Sequence, residues 1–146
     1  MPVNSYPNGV VASSTGGHAH FSSSKVLTDR LILYVDANHA NASDTNPGTQ
    51  IEAPFATLAG TGNDGLTNGA YFTAAANDII IVAASHSETV GITVAKAGVS
   101  IIGLGSGTTR PTLTARAGGF NAVFKVTAAA VEIRNFRFRD PVSVPP

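Results

Sequence analysis

The chain has 146 residues, of which 43% are hydrophobic and only 12% charged, and its formal net charge is zero. This length predicts one domain with its own core and excludes two large domains. The lack of cysteine excludes disulfides, thiolate zinc sites and cysteine nucleophiles, and the neutral charge disfavours a dedicated nucleic-acid binder. The sequence has neither a run of about 20 apolar residues nor a secretory signal pattern, so we expect a soluble product made in the cytoplasm, with no membrane partner.

Charge is divided unevenly along the chain. Three basic and seven acidic residues precede Arg110, whereas six basic and two acidic residues lie from Arg110 onward. Such a division is compatible with pairing between subunits, but two ordinary solvated surfaces are the favoured interpretation.

Residues 1–28 are rich in Ser, Gly, Asn and Pro and show no helical or strand period. We predict an extended N-terminal arm, which becomes ordered only against another surface. Residues 29–146 form the second predicted domain. Within it, Asp36 to Pro54 is a predicted loop and the Ala-rich tract Leu66–Ala76 is the only hint of helix.

Short apolar runs predict that the second domain is all-β. The predicted strands are Leu31–Val35, Ile79–Ala83, Ile92–Val94, Val99–Ile102, Thr112–Thr114, Val123–Val126 and Val131–Phe138.

An internal repeat connects the later strands. When Ile92–Leu104 is placed over Phe124–Phe136, an offset of 32 residues, the apolar positions coincide without a gap. The coinciding pairs are Ile92 with Phe124, Val94 with Val126, Val99 with Val131, Ile101 with Ile133 and Leu104 with Phe136, and small residues coincide at Ala97 with Ala129 and Gly98 with Ala130. Such a repeat indicates stacked units rather than a sandwich.

A phase shift occurs at the same place in both copies. The apolar alternation is broken at Gly103 in one copy and at Asn135 in the other, and both residue types tolerate the left-handed conformation that a sharp bend requires. We therefore predict a parallel β-solenoid of about three coils with open edges at its terminal coils.

Two segments carry a resemblance to a known family. The segment Leu33–Leu58 combines a Tyr-Val-Asp strand, an Asn-Pro-Gly turn and a Pro-Phe-Ala-Thr-Leu step, and residues 78–140 hold the repeated β runs. Together they resemble the right-handed parallel β-helix proteins of the pectin-lyase-like group. The resemblance implies a short right-handed parallel β-helix, with an amphipathic capping helix after Leu58 that the Gly/Asn-rich sequence here largely replaces.

The resemblance implies no enzymatic activity for this chain. Enzymes of the group are longer helices with catalytic residues on later coils, so no position here inherits a catalytic role. Glu132 and Asp140 are the only carboxylates of the late strands, and we interpret them as surface charges rather than a sugar-cleaving pair.

Other candidate sites have simpler interpretations. A group of oxygen-bearing side chains resembles a calcium loop but lacks its spacing, so turn formation is the favoured interpretation; its members are Asp36, Asn38, Asn41, Asp44 and Asn46. The glycines of Gly103–Gly107 mark a turn rather than a phosphate loop. Lys96 and Ser85-His86-Ser87 are predicted to be solvated.

His18 and His20 lie on one side of an extended strand. In a trimer they resemble metal sites of phage spikes, but a polar contact of the arm is the favoured interpretation. We predict no catalytic, cofactor-binding or metal residues and no cofactor.

A β-helix without catalytic coils predicts a structural role. Short β-helices with long N-terminal arms resemble parts of bacteriophage particles. We predict a non-enzymatic virion protein, a homotrimeric capsid decoration or cement protein on the capsid surface, whose partner is the major capsid protein. The alternative is a tail-spike module that binds or depolymerises host polysaccharide, and a fragment of a cellular adhesin is a third interpretation.

Overall fold

The computed structural model describes residues 30–117 and 122–141 in full, and describes the backbone of residues 3–6, 10–13 and 19–21. Its contacts divide the chain into residues 1–30 and residues 31–146. Every described regular element is a strand apart from one short α-helix and one 3₁₀ turn, so the predicted all-β class is confirmed. None of these described helices approaches the length and apolarity needed to span a membrane.

The N-terminal unit contains three strands, β1 (Val3–Tyr6), β2 (Val10–Ser13) and β3 (Ala19–Phe21). They pair in the antiparallel order β1-β2-β3. These strands were not predicted, because the sequence of this segment shows no strand period. The strands form through backbone pairing within the segment, although its Ser- and Gly-rich sequence shows no clear alternation of apolar and polar residues.

The described residues of the second unit form nine strands. They are β4 (Ile32–Val35), β5 (Ile79–Val82), β6 (Ser87–Val90), β7 (Ile92–Val94), β8 (Ser100–Gly103), β9 (Thr112–Ala115), β10 (Phe124–Val126), β11 (Glu132–Arg134) and β12 (Arg137–Arg139). The helix α1 covers Gly69–Thr73, inside the Ala-rich tract, and a 3₁₀ turn covers Gly107–Thr109. The predicted strand Val131–Phe138 is two strands, since Asn135 interrupts it.

All pairing in the second unit is parallel. The sheets have the orders β11-β8-β5-β4, β12-β9-β6 and β10-β7. We call β5 and β6 the first layer, β7 to β9 the second layer and β10 to β12 the third layer. Each strand of the third layer pairs with a strand of the second layer, so successive layers repeat the same order of strands.

The 32-residue offset of the repeat is confirmed in two of the three sheets. Phe124 pairs with Ile92 and Ile133 pairs with Ile101. After Asn135 the offset falls to 25, because Phe138 pairs with Leu113. Counted between register partners, the connection from β8 to β9 is therefore seven residues longer than that from β11 to β12. Leu104, aligned with the buried Phe136, is instead 45% exposed.

The two bend residues behave differently. Asn135 has a φ of 65°, in the left-handed region, as predicted. Gly103 does not have a left-handed φ. Its lack of a side chain instead allows the third layer to approach the second closely, because a Cβ there would lie 2.4 Å from the carbonyl oxygen of Asn135. The paired turn positions Gly98 and Ala130 are both left-handed, with φ of 71° and 57°.

Inward side chains of the first two layers form the core. The fully buried members include Ile80, Val82, Ile92, Val94, Ile101 and Leu113, each with 0% exposure. Leu33 and Val35 of β4 extend the same core, and Phe55 joins it through a parallel bridge between Phe55 and Val35. Alternate residues of each strand thus supply one continuous apolar column.

Candidate functional site

The loop after β4 closes one end of the sheets. Tyr34 donates its backbone N–H to Gly48 O and accepts from Phe55 N at its carbonyl, both at 2.8 Å, and Asp36 N donates to Phe55 O at 3.0 Å. The outer edge of β4 is therefore occupied at Tyr34 and Asp36 by the chain's own backbone.

The oxygen-bearing side chains of this loop make hydrogen bonds within the protein. Asp44 accepts from the backbone N–H and the hydroxyl of Thr57 at 2.8 and 2.7 Å. Asp36 accepts from Asn38 N at 2.9 Å, and the Asn46 amide donates to the carbonyl of Asn41. Across the described residues, no cluster of three or more His, Asp or Glu suits a metal. These contacts favour turn formation over a calcium site.

A buried His–Glu pair lies below this loop. Glu88 accepts from Leu58 N and Ala59 N at 2.8 and 2.9 Å. His86 accepts from Ala37 N at its Nδ1, so its Nε2 carries the proton and donates to Glu88 Oε2 at 2.9 Å. The side chains of His86 and Glu88 are 1% and 8% exposed. The interpretation of Ser85-His86-Ser87 as solvated was therefore wrong at His86.

The sequence pattern concealed this pair because Glu88 occupies an inward position. It pairs with Leu113, which is fully buried, so a carboxylate stands where the alternation requires an apolar side chain. The run Ser-Glu-Thr-Val therefore does not show an apolar alternation, and β6 was not predicted. A buried carboxylate is tolerated here because three donors satisfy it.

A second polar cluster holds α1 and β4 against the second layer. Asp78 is 1% exposed and accepts from Leu31 N and Ala75 N at 2.9 and 2.8 Å. The Lys96 ammonium donates to the carbonyls of Tyr71, Phe72 and Ala74 near the end of α1. Burial lowers the pKa of Lys96, and nearby Asp78 opposes that shift. Lys96 therefore holds the end of α1 through hydrogen bonds and is not simply a solvated side chain.

The remaining candidate residues of the sequence are not brought together as a reactive site. Glu132 forms an exposed ion pair with Arg134 at 3.0 Å, and Asp140 is also exposed. Gly103–Gly107 leads into the 3₁₀ turn and supplies carbonyl acceptors, at Gly103 and Gly105, to the Asn135 amide. His18 lies outside the described residues, as do the side chain of His20 and any contact between the two.

The third layer is the open end of the second unit. Its inward residues continue the apolar column, yet Val126 is 50% and Phe138 57% exposed, whereas Val94 and Leu113 directly below them have no exposure. Phe124, Phe136 and Phe138 pack with ring centroids 6.1 to 6.4 Å apart. A groove of about 480 Å³ runs beside them, lined by Ala115, Ala122, Val123, Phe124, Ile133, Phe138, Arg139 and Asp140.

The groove at this open end combines an apolar floor with two charged residues, Arg139 and Asp140. Its apolar floor carries no buried titratable side chain, and the charged residues around it are exposed. The repeat predicted open edges at the terminal coils and placed Phe124 and Phe136 in the interior. Phe136 is 6% exposed and belongs to the core, and Phe124 is partly buried against it.

Comparison with known proteins returned no match, either to a protein-family model, to a curated protein or to a solved structure.

Proposed function

We propose that this chain is a non-enzymatic structural protein of a bacteriophage particle, a homotrimeric capsid decoration protein built on a short right-handed parallel β-helix. The β-helix assignment is supported by the repeated strand order of the three layers and by their parallel register. The right-handed sense follows from the general rule for crossovers between parallel strands. Each layer then corresponds to one coil, and the loop after β4 serves as the cap.

The main observation in favour of a structural role is that the buried polar side chains bind other parts of the protein. Asp78, His86 and Glu88 all bond to backbone amides or to each other, and they fasten the capping loop, α1 and β4 to the layers. Groups held in this way have their lone pairs and protons committed to the fold. The buried polar groups therefore support a role in which the protein provides a rigid structure rather than a reactive site.

Assembly into a trimer on a shell is supported by surface character. Large apolar side chains are exposed outside the third layer as well, among them Leu66 at 72%, Ile51 at 60% and Phe72 at 54%. Few charges accompany them, since charged residues make up only 12% of the chain. The N-terminal unit is a separate compact unit, as expected for a segment that binds a different surface.

The test is the solution mass of the full chain by light scattering, followed by co-sedimentation with undecorated phage shells. The proposal predicts three times the mass of one chain and sedimentation with the shells. A matched variant lacking residues 1–28, checked for folding by circular dichroism, is expected to remain trimeric and to lose shell binding. A stable monomer that ignores the shells would contradict the proposal.

The polysaccharide-binding alternative has one observation in its favour. Phe138 is an exposed aromatic ring beside Arg139 and Asp140, a combination found where sugars stack on proteins. However, Phe138 pairs with Leu113, so it occupies a core position that no described strand covers. We therefore favour the structural role.

A further inference from the structure

We infer that the open end of the third layer is a docking site for an acidic, extended segment of a different protein, which adds strands in parallel to β10, β11 and β12. This inference is independent of the proposed role on a capsid, because it rests only on the edge, the register and the charges of the third layer.

The backbone of the third layer supplies the first step. Within the described residues no strand lies beyond β10, β11 or β12, and each ends its sheet. Glu132 N donates to Val99 O and Arg137 N to Pro111 O, so these residues face the second layer. In a parallel ladder the next residue along each strand, Ile133 or Phe138, directs its N–H and C=O the opposite way. Three sheets therefore present unpaired edges at one end.

The apolar floor supplies the second step. The side chains of Val126 and Phe138 are half exposed although they belong to a column that is fully buried one layer earlier. The groove of about 480 Å³ is the space that the inward side chains of an added layer would fill. An occupant with apolar residues at alternate positions would thus continue the core.

The outward positions supply the third step, and they identify the occupant. In the second layer these positions hold the neutral residues Thr93, Ser100, Ile102, Thr112 and Thr114. Their partners in the third layer are Lys125, Glu132, Arg134, Arg137 and Arg139, four cations and one anion. Among the described strands of the second unit, charge at the outward positions is thus confined to the third layer.

These cations select between possible occupants. Two copies of this chain joined through their open ends would bring like charges together, which is how edge strands commonly avoid self-association. Parallel pairing places each side chain directly above its register partner, so an added strand with Asp or Glu at its outward positions would face Lys125, Arg134 and Arg139. The charges therefore exclude a second copy and favour an acidic strand.

The test measures binding of a short fluorescent peptide of alternating valine and glutamate to the full chain by anisotropy. The matched control peptide has lysine in place of glutamate. We expect the glutamate peptide to bind about tenfold more tightly or better, with an affinity that weakens as salt is raised. Equal binding of both peptides, or binding to neither, would overturn the inference.

Variants locate the site on the protein. Phe138→Glu and Arg139→Glu change exposed side chains, and each is expected to weaken binding of the glutamate peptide about tenfold. Arg110→Glu removes a cation outside the third layer and is expected to leave binding unchanged. Binding that persists in both third-layer variants would overturn the inference. So would self-association of the unmodified chain that Phe138→Glu abolishes, because a second copy would then be the occupant.

Discussion

The two ends of the parallel sheets are built from the same strand pattern but are finished in different ways. At the first end, the loop after β4 bonds to the edge of that strand, and Glu88 and His86 hold the loop from below. At the other end, inward residues of the third layer remain exposed, and charged side chains surround them. The first end is thus closed by a loop that a buried polar network holds in place, whereas the other end has an apolar floor surrounded by exposed charges.

Loss of the Glu88 carboxylate is expected to have the largest effect on the closed end. Glu88→Ala leaves the amides of Leu58 and Ala59 and the Nε2–H of His86 without their acceptor, which is expected to lower the free energy of unfolding by about 3 kcal/mol. The matched control is Glu132→Ala at the open end, where an exposed ion pair is expected to contribute less than about 0.5 kcal/mol. Urea denaturation measures both, and equal losses would break the comparison.

A pair of isoleucines sharpens the same comparison in the apolar column. Ile101 has no exposure and pairs with Ile133, which is only partly buried. Ile101→Ala is expected to destabilise the protein by about 3 kcal/mol, and Ile133→Ala by about 1 kcal/mol. Thermal unfolding of the two variants measures the difference. If Ile133→Ala costs as much as Ile101→Ala, the third layer is covered rather than open.

Two paired turn positions predict changes of opposite sign. Gly98 and Ala130 are both left-handed, and a Cβ on Gly98 would lie 2.2 Å from the Asn77 amide oxygen. Gly98→Ala is therefore expected to destabilise the protein by at least about 1 kcal/mol. Ala130→Gly relieves the strain of an exposed alanine and is expected to stabilise it by about 0.5 kcal/mol. The melting temperatures decide the point, and two changes of the same sign would contradict the assignment of these turns.

The smallest expected effect concerns pH and Lys96. Because burial lowers its pKa below 10.5, the folded chain releases this proton at a lower pH than the unfolded chain does. The unfolded state then binds more protons between the two pKa values, so stability rises with pH in that window. The melting temperature of the unmodified chain is expected to rise relative to that of Lys96→Met as the pH is raised toward 10.5. A difference that does not depend on pH would contradict the burial of this ammonium.

The sequence predicted the parts of the fold that depend on apolar periodicity. The pairs Ile92 with Phe124 and Ile101 with Ile133 were predicted from the repeat and are confirmed as register partners. It did not predict β6, because an inward Glu88 breaks the period, nor the role of Gly103, because a close approach between layers leaves no local pattern. The exposure of Phe138 was also missed, since exposure depends on whether another layer follows.

Amide hydrogen exchange of the full chain, resolved residue by residue, tests the contrast between the ends most directly. The account predicts strong protection for Tyr34, whose N–H is bonded to Gly48 O at the closed end, and fast exchange for Ile133 and Phe138, whose N–H groups point away from the second layer. Adding the glutamate peptide is expected to slow exchange at the outward-pointing amides of the third layer, Ile133 and Phe138 among them, and to leave Tyr34 unchanged. Protection of these two amides equal to that of Tyr34, in the chain by itself, would contradict an open end.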